Sequence, residues 1–488
     1  MTTKFVQGTM WAIGMRWAIR GAGLISTLIL ARVLTPADFG IVAMSTLVSG
    51  LLGIFLEMGT WQLLLRTAAT DRDSYDTAWT ITLIQAILLS AIVFFAAYPA
   101  ALYFKEPRLV AVMQTLAVGS AIGGLSNIGT IMFRRDLDFK SDFLIGFYGK
   151  VVTVIPTVIL ALIFRNYWAL VAGSIIGTIL DVVVSYAMHP YRPRLSLSKW
   201  RHFISYAVWI TPASVANYLN QKTDVFVVGY VANTAQLGAY NVASELSRMA
   251  TAEIVIPMAR AIYPNYAKLK HDLPSLTNAF LNVLRTVCIV SFSFGFGIAA
   301  VSEDVVHVIL GDQWDFAVPL ITWLGIFGTF AAIQSTASGH ILIVLNRERA
   351  IFVIAWARLA LFGASVVIAA SVGTIIDIAM AAALSTAVFT LACLFYLPKV
   401  LPISVTRILV EIFRVFVAAL TMFVAVRALH NDGIGSHLIT LAIDVATGAM
   451  IFLAILYASW QAAGRPNGPE KHVVELLSGK LRSLTRRN

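Results

Sequence analysis

Arg16 and Arg20 stand four residues apart inside an otherwise apolar run, MTTKFVQGTMWAIGMRWAIRGAG. On a helix that spacing puts both guanidinium groups on one face. A planar guanidinium donates paired hydrogen bonds to neighbouring oxyanions, so such a stripe suits a diphosphate. The competing explanation is structural: both side chains snorkel, or pair with an acid such as Glu57. Further along, Asn217, Asn220, Gln221 and Asp224 recur at steps of three and four, a polar stripe on one helical face. Amides both donate and accept, as sugar hydroxyls require, although the same groups serve equally well as hydrogen-bonding glue between helices. Glu245, Arg248 and Glu253 form a third set, in which an i, i+3 pair of Glu245 with Arg248 competes with a binding role for Arg248. Asp224, Glu245 and Glu253 are the acids placed to couple H⁺ or Na⁺ movement.

Nothing in the chain assembles bond-making chemistry. There is no GxxxxGK[ST] phosphate loop, and the loops hold no Ser, His and carboxylate cluster from which to build a nucleophile and its base. Cys288 and Cys393 both sit in apolar runs and read as packed thiols rather than a disulfide. The expectation is a protein that is not an enzyme and uses no cofactor and no metal. Asp181, Arg285, Arg358, Arg414 and Asp444 are scattered singly in apolar segments and read as structural ion pairs or snorkelling charges, and His340 as a core histidine. The glycines of GAG at Gly21 and GFG at Gly295 read as close helix contacts.

The elements that must hold these residues follow from composition. Of 488 residues 59% are apolar and 12% charged, where a soluble domain carries about 25% charge. With a mean hydropathy of +0.81, this is the composition of an all-α polytopic membrane protein. A span needs about 20 predominantly apolar residues. Fourteen candidates meet that test, beginning at 9–33 and 39–65 and ending at 408–429 and 436–461; they include 109–133, 204–231 and 236–263. The N-terminal run, interrupted by its arginines, reads as a retained first span rather than a cleaved signal. Arg20 then lies roughly 17 Å into the span, near the midplane, where an arginine costs about 2.5–3.5 kcal/mol.

The formal charge of +11 is distributed, not diffuse. With both termini cytoplasmic, 22 Lys and Arg fall in inner segments and 5 in outer ones, which obeys the positive-inside rule. The outer loops instead carry Asp38, Glu106, Glu303, Asp304, Asp312, Asp315, Asp377 and Asp432. Basic charge on this scale would otherwise suggest nucleic acid; here it meets anionic lipid. Residues 463–488 form a basic tail in which Val473, Val474, Leu477, Leu481 and Leu484 fall at helical spacing, as in a surface-lying amphipathic helix, or else a merely solvated tail.

An internal repeat completes the organisation. LTPADFGIVAMS follows the first span and VANTAQLGAYNVAS the seventh; at an offset of 198, Thr35 meets Asn233, Ala37 meets Ala235, Asp38 meets Gln236 and Gly40 meets Gly238. Six spans separate the copies, so the halves share one orientation, a parallel repeat. The expected domains are an N-lobe of six helices at 1–188, a basic linker at 189–203, a C-lobe of six helices at 204–398, two further helices at 399–462, and the tail. The two pseudo-symmetric lobes would place the stripes of spans one and seven opposite each other.

The chain resembles the bacterial polysaccharide-transporter flippases, the Wzx-type branch of the multidrug/oligosaccharidyl-lipid/polysaccharide exporter superfamily. The resemblance spans nearly the whole length and rests on ISTLILARVLTPADFGIVAM, FRRDLDFK at Phe133 to Lys140, NYWALVAG at Asn166 to Gly173, and QKTDVFVVGYVANTAQLGAYNVASEL from Gln221 to Leu246. It implies export of undecaprenyl-diphosphate-linked oligosaccharide from the inner to the outer leaflet of the bacterial cytoplasmic membrane, by alternating access. It also implies that Arg16, Arg20 and Arg248 line a cationic cavity, that the last two helices form a groove for the lipid tail, and that polysaccharide polymerase machinery is a partner; the spacing of the span-seven stripe adds Asn217 and Gln221 as sugar-binding residues. Two rivals remain: a cation-coupled multidrug exporter of the same superfamily, and a membrane polysaccharide polymerase or ligase.

Overall fold

Some helices in this chain start on side chains that accept a backbone N–H group, as Thr35, Asp138, Asp272 and Ser404 do. The computed structural model describes residues 19, 21–23, 25–57, 59–66, 71–136, 138–338, 340–430 and 436–464. The described residues contain helices and no strand. In order these are α1 (Gly21–Val33), α2 (Pro36–Leu56), α3 (Thr60–Arg66), α4 (Arg72–Phe104), α5 (Leu109–Gly123), α6 (Ile131–Arg135), α7 (Phe139–Phe164), α8 (Trp168–Met188) and α9 (Trp200–Val231). Then come α10 (Thr234–Lys268), α11 (Leu273–Ala300), α12 (Ser302–Val305), α13 (Val318–Ser338), α14 (His340–Val344), α15 (Glu348–Val372), α16 (Ile375–Tyr396), α17 (Val405–Leu429) and α18 (His437–Ala462). The basic tail beyond Gly464 lies outside the described residues.

Among the described residues ten helices are long and apolar enough to cross a bilayer, or eleven if one bent pair counts as a single span. The protein is therefore a multi-pass membrane protein. Four of the expected spans differ from straight apolar rods. The run at 39–65 ends as α2 at Leu56 and restarts as α3, with Gly59 at a positive φ of 60° between them. The run at 109–133 bends by 66° between Gly123 and Ile128: α5 ends at Gly123, and Asn127 caps the start of a new short helix by accepting the Gly129 N–H on its side chain at 2.9 Å. The runs at 204–231 and 236–263 lie within α9 and α10, helices of 32 and 35 residues that are not among the ten. In α9 the polar stripe itself lowers the hydropathy.

The chain separates into two compact units, Met1–Ala239 and Tyr240–Asn488. In the first, α7 packs on α8, α4 on α5, α5 on α8 and α2 on α9. The α7–α8 crossing is close because Gly173 and Gly177 of α8, one GxxxG step apart, face Thr157 and Thr153 of α7 with no room for a Cβ. In the second unit α11 packs on α13 and α17, α13 on α16, α15 on α16 and α17 on α18. Gly295 of α11 lies 2.7 Å, measured from an ideal Cβ, from the carbonyl of Gly325 in α13, so the GFG reading as a close contact holds. Gly21 has no described atom within 4 Å of that position.

The basic segment after α8 is tied down rather than loose. Asp76, 4% exposed, accepts the Tyr191 hydroxyl and the Arg194 N–H, both at 2.8 Å. Thr80 accepts the Ser196 N–H at 2.9 Å, and the buried Asn127 amide donates to the carbonyls of His189 and Tyr191. Burial, together with donation to Asp76, pushes the Tyr191 phenol up, while burial and nearby Arg192 push His189 down, which keeps its Nδ1 free to accept the Tyr191 N–H. Lys199 closes the strap on Asp71 at 2.6 Å and holds that carboxyl below its ordinary value.

Candidate functional site

The polar residues of α9 divide between two neighbouring faces. Asn220 and Asp224, one turn apart, are buried at 7% and 3% exposure, whereas Asn217 and Gln221, also one turn apart, are exposed. Asn220 donates its amide to the Ala216 carbonyl at 3.0 Å. The helix is held against α2 by polar contacts: the Tyr218 hydroxyl donates to the Leu47 carbonyl at 2.7 Å, and the Thr211 hydroxyl to the Glu57 carbonyl at 2.8 Å. Thus α9 carries two exposed amides and, on the neighbouring face, a buried acid. Lys222, half-buried between Gln221 and Thr223, adds a cation that the reading of the stripe passed over, although its position in an apolar helix argued for it as strongly as for Arg20.

Arg16 and Arg20 lie outside the described residues, as does the side chain of Glu253. Gly23, three positions after Arg20, has Lys150 of α7 beside it, with the ammonium nitrogen 3.7 Å from an ideal Cβ. Lys150 is thus a second cation brought to the first helix and missed by sequence spacing, since 127 positions separate the two residues. In the second unit Glu245 is exposed and Arg248 half-buried, one turn apart on α10.

The turns that begin α2 and α10 are built alike. Asp38 accepts the Thr35 N–H and hydroxyl at 2.9 and 2.7 Å, and Thr35 accepts the Asp38 N–H, a reciprocal cap. Asn233 and Gln236 repeat it, Gln236 accepting the Asn233 N–H at 3.1 Å and Asn233 the Gln236 N–H at 2.8 Å. The glycines that follow are reciprocal as well: a Cβ on Gly40 would meet the Thr234 carbonyl, and a Cβ on Gly238 the Pro36 carbonyl. Thr234 and Pro36 are themselves separated by the repeat offset of 198. The sequence repeat is therefore a local two-fold contact that only glycine permits on both sides.

Two of the singly scattered arginines share one acid. Arg285 of α11 pairs with Glu411 of α17, and Arg414 approaches the other oxygen of Glu411 at 3.5 Å; all three are nearly buried. Beside α11, α17 and α18 runs an apolar cavity of about 590 Å³, lined by residues such as Phe294, Ile298, Met422, Val426, Val445 and Phe452. Gly448 of α18 faces Met422 and Val426 at 3.2–3.7 Å from an ideal Cβ, keeping α17 and α18 close.

A protein family described as polysaccharide biosynthesis protein matches residues 29–319. The chain belongs to that family. The match agrees with the resemblance carried by the first turn, the FRRDLDFK and NYWALVAG phrases and the second turn. The chain is 23% identical over 469 residues to the teichuronic acid biosynthesis protein TuaB of Bacillus subtilis (strain 168), covering 94% of this chain and 96% of TuaB. It is 22% identical over 338 residues to the lipopolysaccharide biosynthesis protein WzxC of Escherichia coli (strain K12), 68% of each chain. In fold it is similar to the lipid II flippase MurJ in an inward closed conformation, with a TM-score of 0.71 at 14% identity, covering 94% of this chain and 100% of MurJ. The family phrases have visible work in the structure. Asp38 reaches the Tyr167 N–H of NYWALVAG at 2.8 Å, and in FRRDLDFK Arg135 donates to Tyr75 while Asp138 caps α7 through the Ser141 N–H.

Proposed function

We propose that this protein is a flippase that carries undecaprenyl-diphosphate-linked oligosaccharide units from the cytoplasmic to the periplasmic leaflet of a bacterial inner membrane, for surface or exopolysaccharide synthesis. The observation that supports it most is α9, a helix of membrane length whose exposed amides and buried acid make it too polar to face lipid. Sugar hydroxyls match Asn217 and Gln221, and the diphosphate matches Arg16, Arg20 and Arg248. The apolar cavity along α17 and α18 fits a polyprenyl tail. Two lobes, 1–188 and 204–398, rocking about this site supply alternating access, with both termini in the cytoplasm. An inside-negative potential favours outward movement of an anion by about 2.3 kcal/mol per charge per 100 mV, so a coupling ion is optional. Where one is used, Asp224, Glu245 and Glu253 are the acids to carry it.

Arg20→Ala should reach the membrane in normal amount and abolish polymer export in a strain lacking the native gene. Normal export by that variant would remove the cavity role. One observation favours the rival multidrug exporter: the buried carboxyl of Asp224, suited to a cationic substrate or coupling ion. That reading predicts dye resistance on overexpression with no effect on surface polysaccharide.

A further inference from the structure

Where α17 ends and α18 begins, three elements bring metal-ligating groups together. Asp304 of α12, His430 just after α17 and Asp444 of α18 place one ligand atom each within 4.8 Å of one another. His430 Nδ1 is 2.7 Å from Asp444 Oδ2 and 3.8 Å from Asp304 Oδ2. Both acids are buried, at 1% and 6% exposure, and Asp304 Oδ2 has no hydrogen-bond partner among the described residues. Two buried carboxylates face two imidazoles, His430 and His437, and an imidazole carries no permanent charge; the arrangement is costly unless a cation or protons supply it.

The guanidinium of Arg427 is bonded to other groups. Arg427, one turn before His430, donates to the Ala299 carbonyl and to the Ser302 and Thr322 hydroxyls at 3.0–3.2 Å. The outer oxygen of Asp304 instead meets His437 Nδ1 at 2.9 Å, the kind of hydrogen bond that orients a carboxylate ligand. His307 stacks on His437 with ring centroids 4.4 Å apart and fixes that imidazole in turn.

We propose that Asp304, His430 and Asp444 form a binding site for one divalent transition-metal ion, with Zn²⁺ best matched to a set of one nitrogen and two oxygens from three protein ligands. The ion ties α12, α17 and α18 together. Because Asp444 also lines the apolar cavity, the site stands at an edge of that cavity. The proposal does not depend on what the cavity carries.

The test uses the full-length protein, purified in detergent without a polyhistidine tag and stripped with chelator. After Zn²⁺ addition and gel filtration, elemental analysis should find about one retained zinc per chain, and thermal unfolding should move upward with zinc. The isosteric Asp444→Asn and the His430→Ala variants should lose both effects while remaining monodisperse, and His437→Ala should weaken binding about 10- to 100-fold. No retained zinc overturns the proposal, as does zinc retained unchanged in Asp444→Asn. A melting temperature that responds to acid but not to zinc also overturns it and makes the cluster a protonation site.

Discussion

The two turns Thr35–Gly40 and Asn233–Gly238 occupy equivalent places in the repeat, yet they use their charge differently. The first carries its own carboxylate: one oxygen of Asp38 closes the cap on Thr35, and the other accepts the Tyr167 N–H and so docks the start of α8. In the second, Gln236 closes the cap as a neutral amide, and the docking carboxylate is supplied by Glu106, which accepts the Thr234 hydroxyl at 2.8 Å. Glu106 is itself held by Arg108 at 2.8 Å. What the two copies share is therefore the backbone contact through Gly40 and Gly238. The side-chain chemistry around it has been redistributed, which teaches that the close approach is the repeated feature and the cap its support.

The largest effect should come from filling that contact. Gly40→Leu and Gly238→Leu each drive a side chain onto a backbone carbonyl that cannot rotate away, and each should cost at or beyond the upper end of about 1–3 kcal/mol for overpacking. Gly53→Ala, whose added Cβ meets only the flexible Leu89 side chain at 3.5 Å, should leave thermal stability in detergent nearly unchanged. If only one of the two leucine variants were destabilised, the contact would not be reciprocal.

Next in size is the cap itself. Asp38→Ala removes a cap and the bond to Tyr167 and should cost about 1–2 kcal/mol, whereas Gln236→Ala removes a cap at an exposed turn and should cost well under 1 kcal/mol. Equal losses would show that the cap alone matters. The smallest effect is the acid sensitivity of the borrowed carboxylate. Hydrogen bonds from Arg108 chiefly, and from Thr234, hold Glu106 below its ordinary value. Its contribution is then fully present above the unfolded value of about 4.3 and is lost as pH falls through the lower folded value. The melting temperature of Glu106→Gln should therefore fall less steeply than wild type below about pH 4, and parallel curves would remove Glu106 from the docking.

The all-helical membrane fold was legible in the apolar runs, and the repeat in a dozen residues, because helix length and capping are local. The bends at Gly59 and Asn127 were not, since a hydropathy window averages across a break whose cause is one φ angle or one side-chain cap. The segment from His189 to Phe203 reads as a linker between lobes from its prolines and basic charges. Its strap is fixed by Asp76, Thr80 and Asn127, residues more than 60 positions away whose role no spacing reveals. The polar stripe of α9 was found, but its division into an open pair and a buried pair depends on neighbours from other helices. For the same reason the Arg285–Glu411 pair and the cluster around His430 escaped notice: the partners lie 126 and 14 or more positions apart, although Arg414, three positions after Glu411, was within reach of local spacing.

The most direct measurement of the central claim is the leaflet in which lipid-linked oligosaccharide resides. In spheroplasts of a strain lacking the native gene, undecaprenyl-diphosphate-linked oligosaccharide should be shielded from an externally added lectin or glycosidase. Expression of this protein should expose it, and a variant carrying Asn217→Leu with Gln221→Leu should reach the membrane without doing so. Oligosaccharide that is equally accessible with and without the protein would contradict the account.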